Sequence, residues 1–186
     1  MYTLITLLLI LAAIAAFGVA LYNRLVSARQ RVGEAWSGID VQLLRRSDLV
    51  PNLVEVLRGY MTHEREALEA VTAMRARASS LGRDDVAGRA AAEGQLGGAI
   101  MRLMATAEGY PELKASRNFQ DLHAALDNVE NDIQHARRYY NAAVRELNIR
   151  VESFPSNLVA QRFGFVPATY FELTTPEQRA VPQVSI

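Results

Sequence analysis

The chain has 186 residues, equal numbers of basic and acidic side chains (20 of each) and no cysteine. The balanced charge excludes the global positive field that favours nucleic acid, and the lack of cysteine excludes disulfides and thiol chemistry. All charged side chains lie at Arg24 or beyond. The part of the chain that carries them is long enough for one domain with a buried core.

Residues Tyr2 to Tyr22 form an uncharged, largely apolar segment. A helix of this length is about 32 Å long, which matches the roughly 30 Å hydrocarbon core of a bilayer. We therefore predict a transmembrane anchor over residues 1–22. A cleaved signal peptide is the alternative, with Gly18-Val19-Ala20 as its cleavage site, but signal peptides have shorter apolar cores.

The flanks of this segment predict its orientation. No Lys or Arg precedes it, whereas Arg24, Arg29 and Arg31 follow it closely. Basic flanks stay in the cytoplasm, so we expect a single-pass protein of the bacterial inner membrane with a short N-terminus outside and a cytoplasmic body.

Small side chains recur every four residues within the segment, at Ala12, Ala16 and Ala20. Such a face lets helices approach closely in lipid. It is either an oligomerisation face or ordinary alanine-rich composition.

Apolar residues at helical spacing predict that the first helix continues to about Arg46. Ser47-Asp48 followed by Pro51 favours a new helix or a sharp kink near Asp48, because proline fits the first turn of a helix but not its interior. This second helix should end near Ser79–Gly82. Its apolar seam, broken at Glu64, is Val50, Val54, Leu57, Met61, Leu68 and Val71.

A third helix is expected after Asp84-Asp85 and should end at Tyr110-Pro111, with residues 112–116 as a connection. The fourth helix has the strongest periodicity, since its apolar positions alternate in steps of three and four until Phe154-Pro155 ends it. These positions are Phe119, Leu122, Leu126, Val129, Ile133, Ala136, Tyr140, Ala143 and Leu147.

Residues beyond Pro155 should fold back over the bundle, with a short helix near Ser156–Arg162. Residues 173–186 are expected to be a flexible tail. No segment alternates like a strand. The predicted fold is all-α: a transmembrane helix continuous with an antiparallel bundle of three to four long helices over residues 23–172.

No catalytic, cofactor-binding or metal-binding residue is predicted. His63-Glu64 lacks the second histidine of a zinc protease motif, because Ala67 stands in its place. His123 has Gln120, rather than glutamate, three residues before it, so a di-iron pattern fails as well. A metal-dependent hydrolase that uses inward carboxylates is left as the enzymatic alternative.

Polar stripes flank the apolar seams of the second and fourth helices. They either pair with each other and fix the register of the helices, or form a docking surface for a partner, since a buried charge must be paired. The candidate cluster consists of Arg46, Asp48, Asn52, Glu130, Arg137 and Asn141.

One stretch is especially distinctive: DVQLLRRSDLVPNLV, from Asp40 to Val54. Further stretches follow in order, namely Glu130-Asn131, Tyr139-Tyr140-Asn141, Phe154-Pro155-Ser156-Asn157, Phe163-Gly164-Phe165 and Tyr170-Phe171-Glu172. Together they resemble the LemA family of bacterial membrane proteins. The resemblance implies one N-terminal span, an extracellular N-terminus and an antiparallel helical bundle, but no activity.

A related branch of that family is associated with building magnetosome membranes, which favours membrane shaping. We therefore expect a non-enzymatic, membrane-anchored scaffold that self-associates, with the lipid bilayer and further copies as partners. Family genes often lie beside membrane metalloproteases, so an adaptor for such a protease or another membrane protein is the alternative.

Overall fold

The computed structural model describes residues 1–172, and all regular secondary structure in that range is α-helical. This confirms the predicted all-α helical class; the expected tail at 173–186 lies outside the described residues. The helices are α1 Tyr2–Arg58, α2 Arg65–Ser80, α3 Val86–Ala107, α4 Pro111–Ala115, α5 Arg117–Glu152 and α6 Ser156–Phe163.

The N-terminal part of α1 is the one segment, among the residues described, that is long and apolar enough to cross a membrane. Its mean hydropathy is 2.8, and none of its residues is buried within the protein. A helix that is apolar on every side needs an apolar surrounding. Length and composition therefore support a membrane anchor here.

The first of two compact units combines Met1–Gly38 with Arg138–Thr169. Here α5 runs antiparallel to α1. The Arg31 guanidinium pairs with Glu146 at 3.0 Å, and Arg150 donates to the carbonyl oxygen of Arg24 at 2.9 Å. The apolar core of this unit contains Leu25, Ala28, Leu147, Val151, Ala160 and Phe165.

The non-helical segment after α6 is held against α5 by hydrogen bonds from polar side chains. Gly164 adopts a φ of 72°, a left-handed conformation that glycine tolerates best, and so ends α6. Asn148 then donates to the carbonyl oxygen of Ala168 at 3.0 Å and accepts from its N–H at 2.8 Å. The Tyr140 hydroxyl donates to the Thr169 carbonyl oxygen at 2.9 Å.

The second unit comprises Ile39–Arg137 and, of the described residues beyond α6, Tyr170–Glu172. Its core joins the C-terminal part of α1 to α2, α3, α4 and the first half of α5. Fully buried members of this core include Leu53, Leu57, Val71, Leu96, Leu103, Leu113 and Met61. The unit is therefore a helical bundle with one continuous apolar interior.

The helix start expected near Asp48 is wrong, because α1 continues through Pro51 to Arg58. Proline has no N–H, so the carbonyl oxygen of Ser47, four residues earlier, loses its usual helical donor. Arg75 on α2 replaces that donor: its Nε lies 2.7 Å from the Ser47 carbonyl oxygen and 3.2 Å from its Oγ. A tertiary contact thus satisfies the group that the proline leaves without a donor.

The second predicted helix is in fact divided at residues 59–64, where α1 ends and α2 has not begun. The N–H groups of Tyr60 and Met61 both donate to the Leu57 carbonyl oxygen, at 3.0 and 2.8 Å, as the backbone leaves the helix. Met61 is nevertheless buried, so the predicted apolar seam is confirmed although its backbone is not one helix.

The later helices agree more closely with expectation. Asp85 caps α3, accepting from the Gly88 N–H at 2.8 Å, as predicted for a helix that starts after Asp84-Asp85. The expected connection at 112–116 contains the short α4. The seam of α5 is confirmed as buried at Phe119, Leu122, Leu126, Val129, Ile133, Tyr140, Ala143 and Leu147. Ala136, the ninth predicted position, is only partly buried.

We expect Arg75→Met to lower the free energy of unfolding by about 1–2 kcal/mol, because it leaves the Ser47 carbonyl oxygen without a donor. Pro51→Ala supplies an N–H to that oxygen, so the same arginine substitution should cost less in the Pro51→Ala background. Thermal unfolding of the double-mutant cycle measures the difference. Arg77→Met, at an exposed position of α2, is the matched control; equal costs of Arg75→Met in both backgrounds would contradict the compensation.

Tyr140 gives a pH-dependent prediction. Burial raises the pKa of its phenol above the ordinary value of 10.0. Above that pH the unfolded state loses the proton while the folded state keeps it, so stability present at lower pH falls as the pH rises. Tyr140→Phe should cost about 1 kcal/mol at neutral pH, through loss of the hydrogen bond to Thr169, yet show a shallower alkaline decline. Chemical denaturation from pH 8 to 11 compares the two proteins, and parallel declines would count against this assignment.

Candidate functional site

A buried guanidinium lies at the centre of the candidate polar cluster. Arg46 falls between Leu43 and Val50 on α1, at helical spacing with both, and therefore faces the interior. Only 4% of its surface is exposed. Arginine is almost never buried to this degree unless it is paired.

Two carboxylates pair with this guanidinium. Its Nη2 lies 2.6 Å from Glu93 Oε2 and 3.0 Å from the Glu93 carbonyl oxygen, and its Nη1 lies 2.9 Å from Glu130 Oε2. Glu93 is also buried, whereas Glu130 is partly exposed. The network thus connects α1, α3 and α5 within the second unit.

Glu93 is the partner that sequence reasoning missed. It is three residues before Leu96 and seven before Ile100, on the buried face of α3. A charged residue at a core position of one helix and an arginine at a core position of another were the available signal. Neither position alone identifies the other.

Gly97 makes room for the guanidinium. A Cβ atom on Gly97 would lie 2.9 Å from Arg46 Nη1, closer than such contacts occur, whereas one on Gly98 would meet only Arg102 Nη1 at an ordinary 3.6 Å. The two adjacent glycines in the middle of α3 therefore differ in role: Gly97 leaves space for the ion pair, and Gly98 does not touch it.

The network continues along α5. Gln134 Nε2 donates to Glu130 Oε1 at 3.4 Å, and Arg137 Nη2 donates to Gln134 Oε1 at 2.8 Å. Arg137 therefore reaches the buried pair only through an amide. These two hydrogen bonds link the Arg137 guanidinium to Glu130, which is one of the two carboxylates that share Arg46.

The structure does not bring Asp48 and Asn52 into this network. Asp48 and Asn52 are exposed on α1. Asn141 belongs to the other compact unit. The membrane residues Ala12, Ala16 and Ala20 are exposed as well, and their oligomerisation role stays a prediction.

Asp40 forms a second polar contact that the sequence left unassigned. Its two carboxylate oxygens accept from Arg83 Nη2 and Arg89 Nη2, each at 2.6 Å. Arg89 lies in the first turn of α3 and Arg83 in the loop before it. The contact therefore attaches the start of α3 to α1.

The geometry favours a structural role for the buried network. Glu93 and Glu130 each direct an oxygen at Arg46, so both carboxylates are engaged in pairing within the protein. Within residues 1–172, no group of three or more His, Cys, Asp or Glu side chains is placed to hold a metal ion. Pairing across helices fits the register-fixing interpretation of Arg46 and Glu130.

Alanine substitutions at the two adjacent glycines test this network. Gly98→Ala should stabilise the protein by up to about 1 kcal/mol, since alanine is the better helix former. Gly97→Ala should gain less or destabilise, because the new methyl group displaces the Arg46 guanidinium. Thermal unfolding of both variants provides the comparison, and equal stabilisation by both would contradict the close contact.

Comparison with known proteins identifies similar chains. Magnetosome protein MamQ 2 of Paramagnetospirillum magneticum is 26% identical over 175 residues, covering 81% of this chain and 64% of the relative. Magnetosome protein MamQ of Magnetospirillum gryphiswaldense is 24% identical over 174 residues, with the same coverage. Protein LemA of Metamycoplasma hominis is 25% identical over 156 residues, covering 84% of this chain and 71% of the relative.

The chain thus spans 64% of the length of the MamQ proteins that it resembles. The model of the LemA family matches residues 35–186, which include both polar contacts described above. The matched region contains the buried arginine, both of its carboxylates and all of α2 to α6. With its apolar N-terminal helix and its helical body, this chain is a membrane-associated protein that belongs to the LemA family.

Proposed function

We propose that this protein is a non-enzymatic, membrane-anchored helical scaffold that associates with further copies of itself and organises the bacterial inner membrane. The observation that carries the proposal is the continuity of α1. This helix is 57 residues long, or about 86 Å. The uncharged segment ends at Tyr22, and the buried core of the first unit begins at Leu25 with no loop between them.

That continuity fits a scaffold better than a tethered enzyme. A tethered catalytic domain needs only a flexible linker to reach its substrates, whereas a continuous helix holds the adjoining core at a defined distance from the bilayer. The buried charges of the second unit are used for internal pairing between Arg46, Glu93 and Glu130. Similarity to proteins named magnetosome proteins supports a role in membrane organisation for this chain.

The anchor supplies a means of self-association. Ala12, Ala16 and Ala20 lie on one face of α1 and are exposed. Small side chains at this spacing allow close packing of two such helices in lipid. The basic residues Arg24, Arg29 and Arg31 favour a cytoplasmic body, so assembly would organise the membrane from its inner side.

An adaptor for another membrane protein is the second candidate, and the exposed pair Asp48 and Asn52 favours it. These polar side chains are four residues apart on α1 and take no part in the buried network. They would be free to contact a partner while Arg46 maintains the fold.

The oligomeric state in lipid tests the scaffold proposal. We expect the full chain in nanodiscs or mild detergent to show dimers or larger species by native mass spectrometry. Ala16→Leu should shift the distribution toward the monomer, because the larger side chain separates the helices. Gly18→Leu is the matched control, since Gly18 is turned about 200° from Ala16 around the helix.

A monomer at every concentration would overturn self-association. Equal effects of the two leucine variants would remove the alanine face from the proposal. Recovery of a different membrane protein in fixed ratio with the monomer, lost on Asp48→Ala or Asn52→Ala, would favour the adaptor.

A further inference from the structure

The corner between α5 and α6 exposes an unusual concentration of large apolar side chains. Phe154, Leu158, Phe163 and Val166 are between 58% and 79% exposed. They occur within thirteen consecutive residues of a unit whose interior is otherwise well packed. Exposed apolar patches of this kind mark contact with a protein or a membrane.

The position of the corner distinguishes these alternatives. Glu146 on α5 contacts Arg31 on α1, and Arg150, four residues later, contacts Arg24. Because the two helices are antiparallel, the end of α5 lies near the uncharged segment of α1. α5 ends at Glu152, about 3 Å further along the helix axis, and Phe154 follows in the turn that leads to α6. This places it beside the last residues of the uncharged segment of α1.

Contacts with α1 confirm the position of the corner along this helix. The ring of Tyr22, the last residue of the uncharged segment, lies 4.9 Å from the Phe163 ring and 5.8 Å from the Phe165 ring. Ser156 at the start of α6 lines the same surface groove as Leu21 and Asn23. The corner therefore lies where α1 leaves the hydrocarbon core.

Basic side chains surround the apolar ones. The Arg29 guanidinium lies 5.0 Å from the centre of the Phe165 ring, and that of Arg162 lies 6.0 Å from the Phe163 ring. Arg24 lines the groove, and its exposed guanidinium has no acceptor among the residues described. Apolar and aromatic side chains fringed by arginine are typical of segments that lie in the interface of an anionic bilayer.

We propose that the α5–α6 corner is a second membrane contact, which inserts Phe154, Leu158, Phe163 and Val166 into the interfacial layer of the leaflet where α1 emerges. The occupant of this surface is the bilayer itself, with Arg24, Arg29 and Arg162 at the level of the lipid phosphates. This inference rests on membrane anchoring by α1, but not on self-association. Two contacts with one leaflet restrict the tilt of this unit against the bilayer.

Depth measurement by spin labelling tests the proposal in the full chain. The protein has no cysteine, so a single introduced cysteine carries the only label. Leu158→Cys and Phe154→Cys report on the corner, in nanodiscs of equal parts phosphatidylglycerol and phosphatidylcholine. Tyr139→Cys is the matched control, because Tyr139 is 59% exposed on the same α5, about 20 Å from the end of this helix.

We expect labels at 158 and 154 to collide more with lipid-soluble oxygen than with a water-soluble nickel complex, and the label at 139 to show the reverse. Preserved helicity and thermal unfolding verify that each variant folds. Nickel accessibility at 158 and 154 equal to that at 139 would overturn the proposal.

A label at Leu9→Cys separates this failure from failure of the anchor. Oxygen access at 9 together with nickel access at 158 overturns the corner contact alone, whereas nickel access at both overturns anchoring too. Dipolar broadening at 158 that disappears on dilution with unlabelled protein would assign the surface to a second copy, and would also overturn the proposal.

Discussion

The second unit depends on the requirement that the Arg46 charge, once buried, be compensated. Its guanidinium is held at 2.6 Å from Glu93 and 2.9 Å from Glu130, and each contact comes from a different helix. Loss of one partner of such a buried pair costs about 3–5 kcal/mol, because the other charge remains in the interior. A slip of α3 or α5 along α1 would separate these charges, so the pair favours one register among the many that apolar seams alone would accept.

The same rule explains how α1 passes through Pro51. A buried carbonyl oxygen without a donor is costly, and in the interior of a helix proline always produces one. Arg75 satisfies that oxygen from α2, just as Glu93 satisfies Arg46 from α3. In both cases a local defect of α1 is compensated by a side chain of a helix that packs against it. The Arg46 guanidinium and the Ser47 carbonyl oxygen thereby determine which faces of the neighbouring helices pack against α1.

These compensations also separate what the sequence could predict from what it could not. Hydropathy and the position of the first charge identify the anchor, and uninterrupted three-four spacing identifies α5, because both signals are local. The continuation of α1 past Pro51 was unpredictable, since it depends on the contact of Arg75 with Ser47, two residues that are 28 positions apart in the chain. Glu93 was missed because a carboxylate in an apolar seam has meaning only once Arg46 is placed opposite it. The break at residues 59–64 was hidden because Met61 keeps its buried place while the backbone leaves the helix.

Because α1 is continuous, the direction of each side chain in its uncharged segment is fixed relative to the buried core of the first unit. At about 100° per residue, Ala12, Ala16 and Ala20 lie about 140–220° around the helix from Leu25, which is buried against α5 and α6. The alanine face is therefore directed away from the returning half of its own chain. The part of α5 that packs on Leu25 therefore does not cover this face of α1.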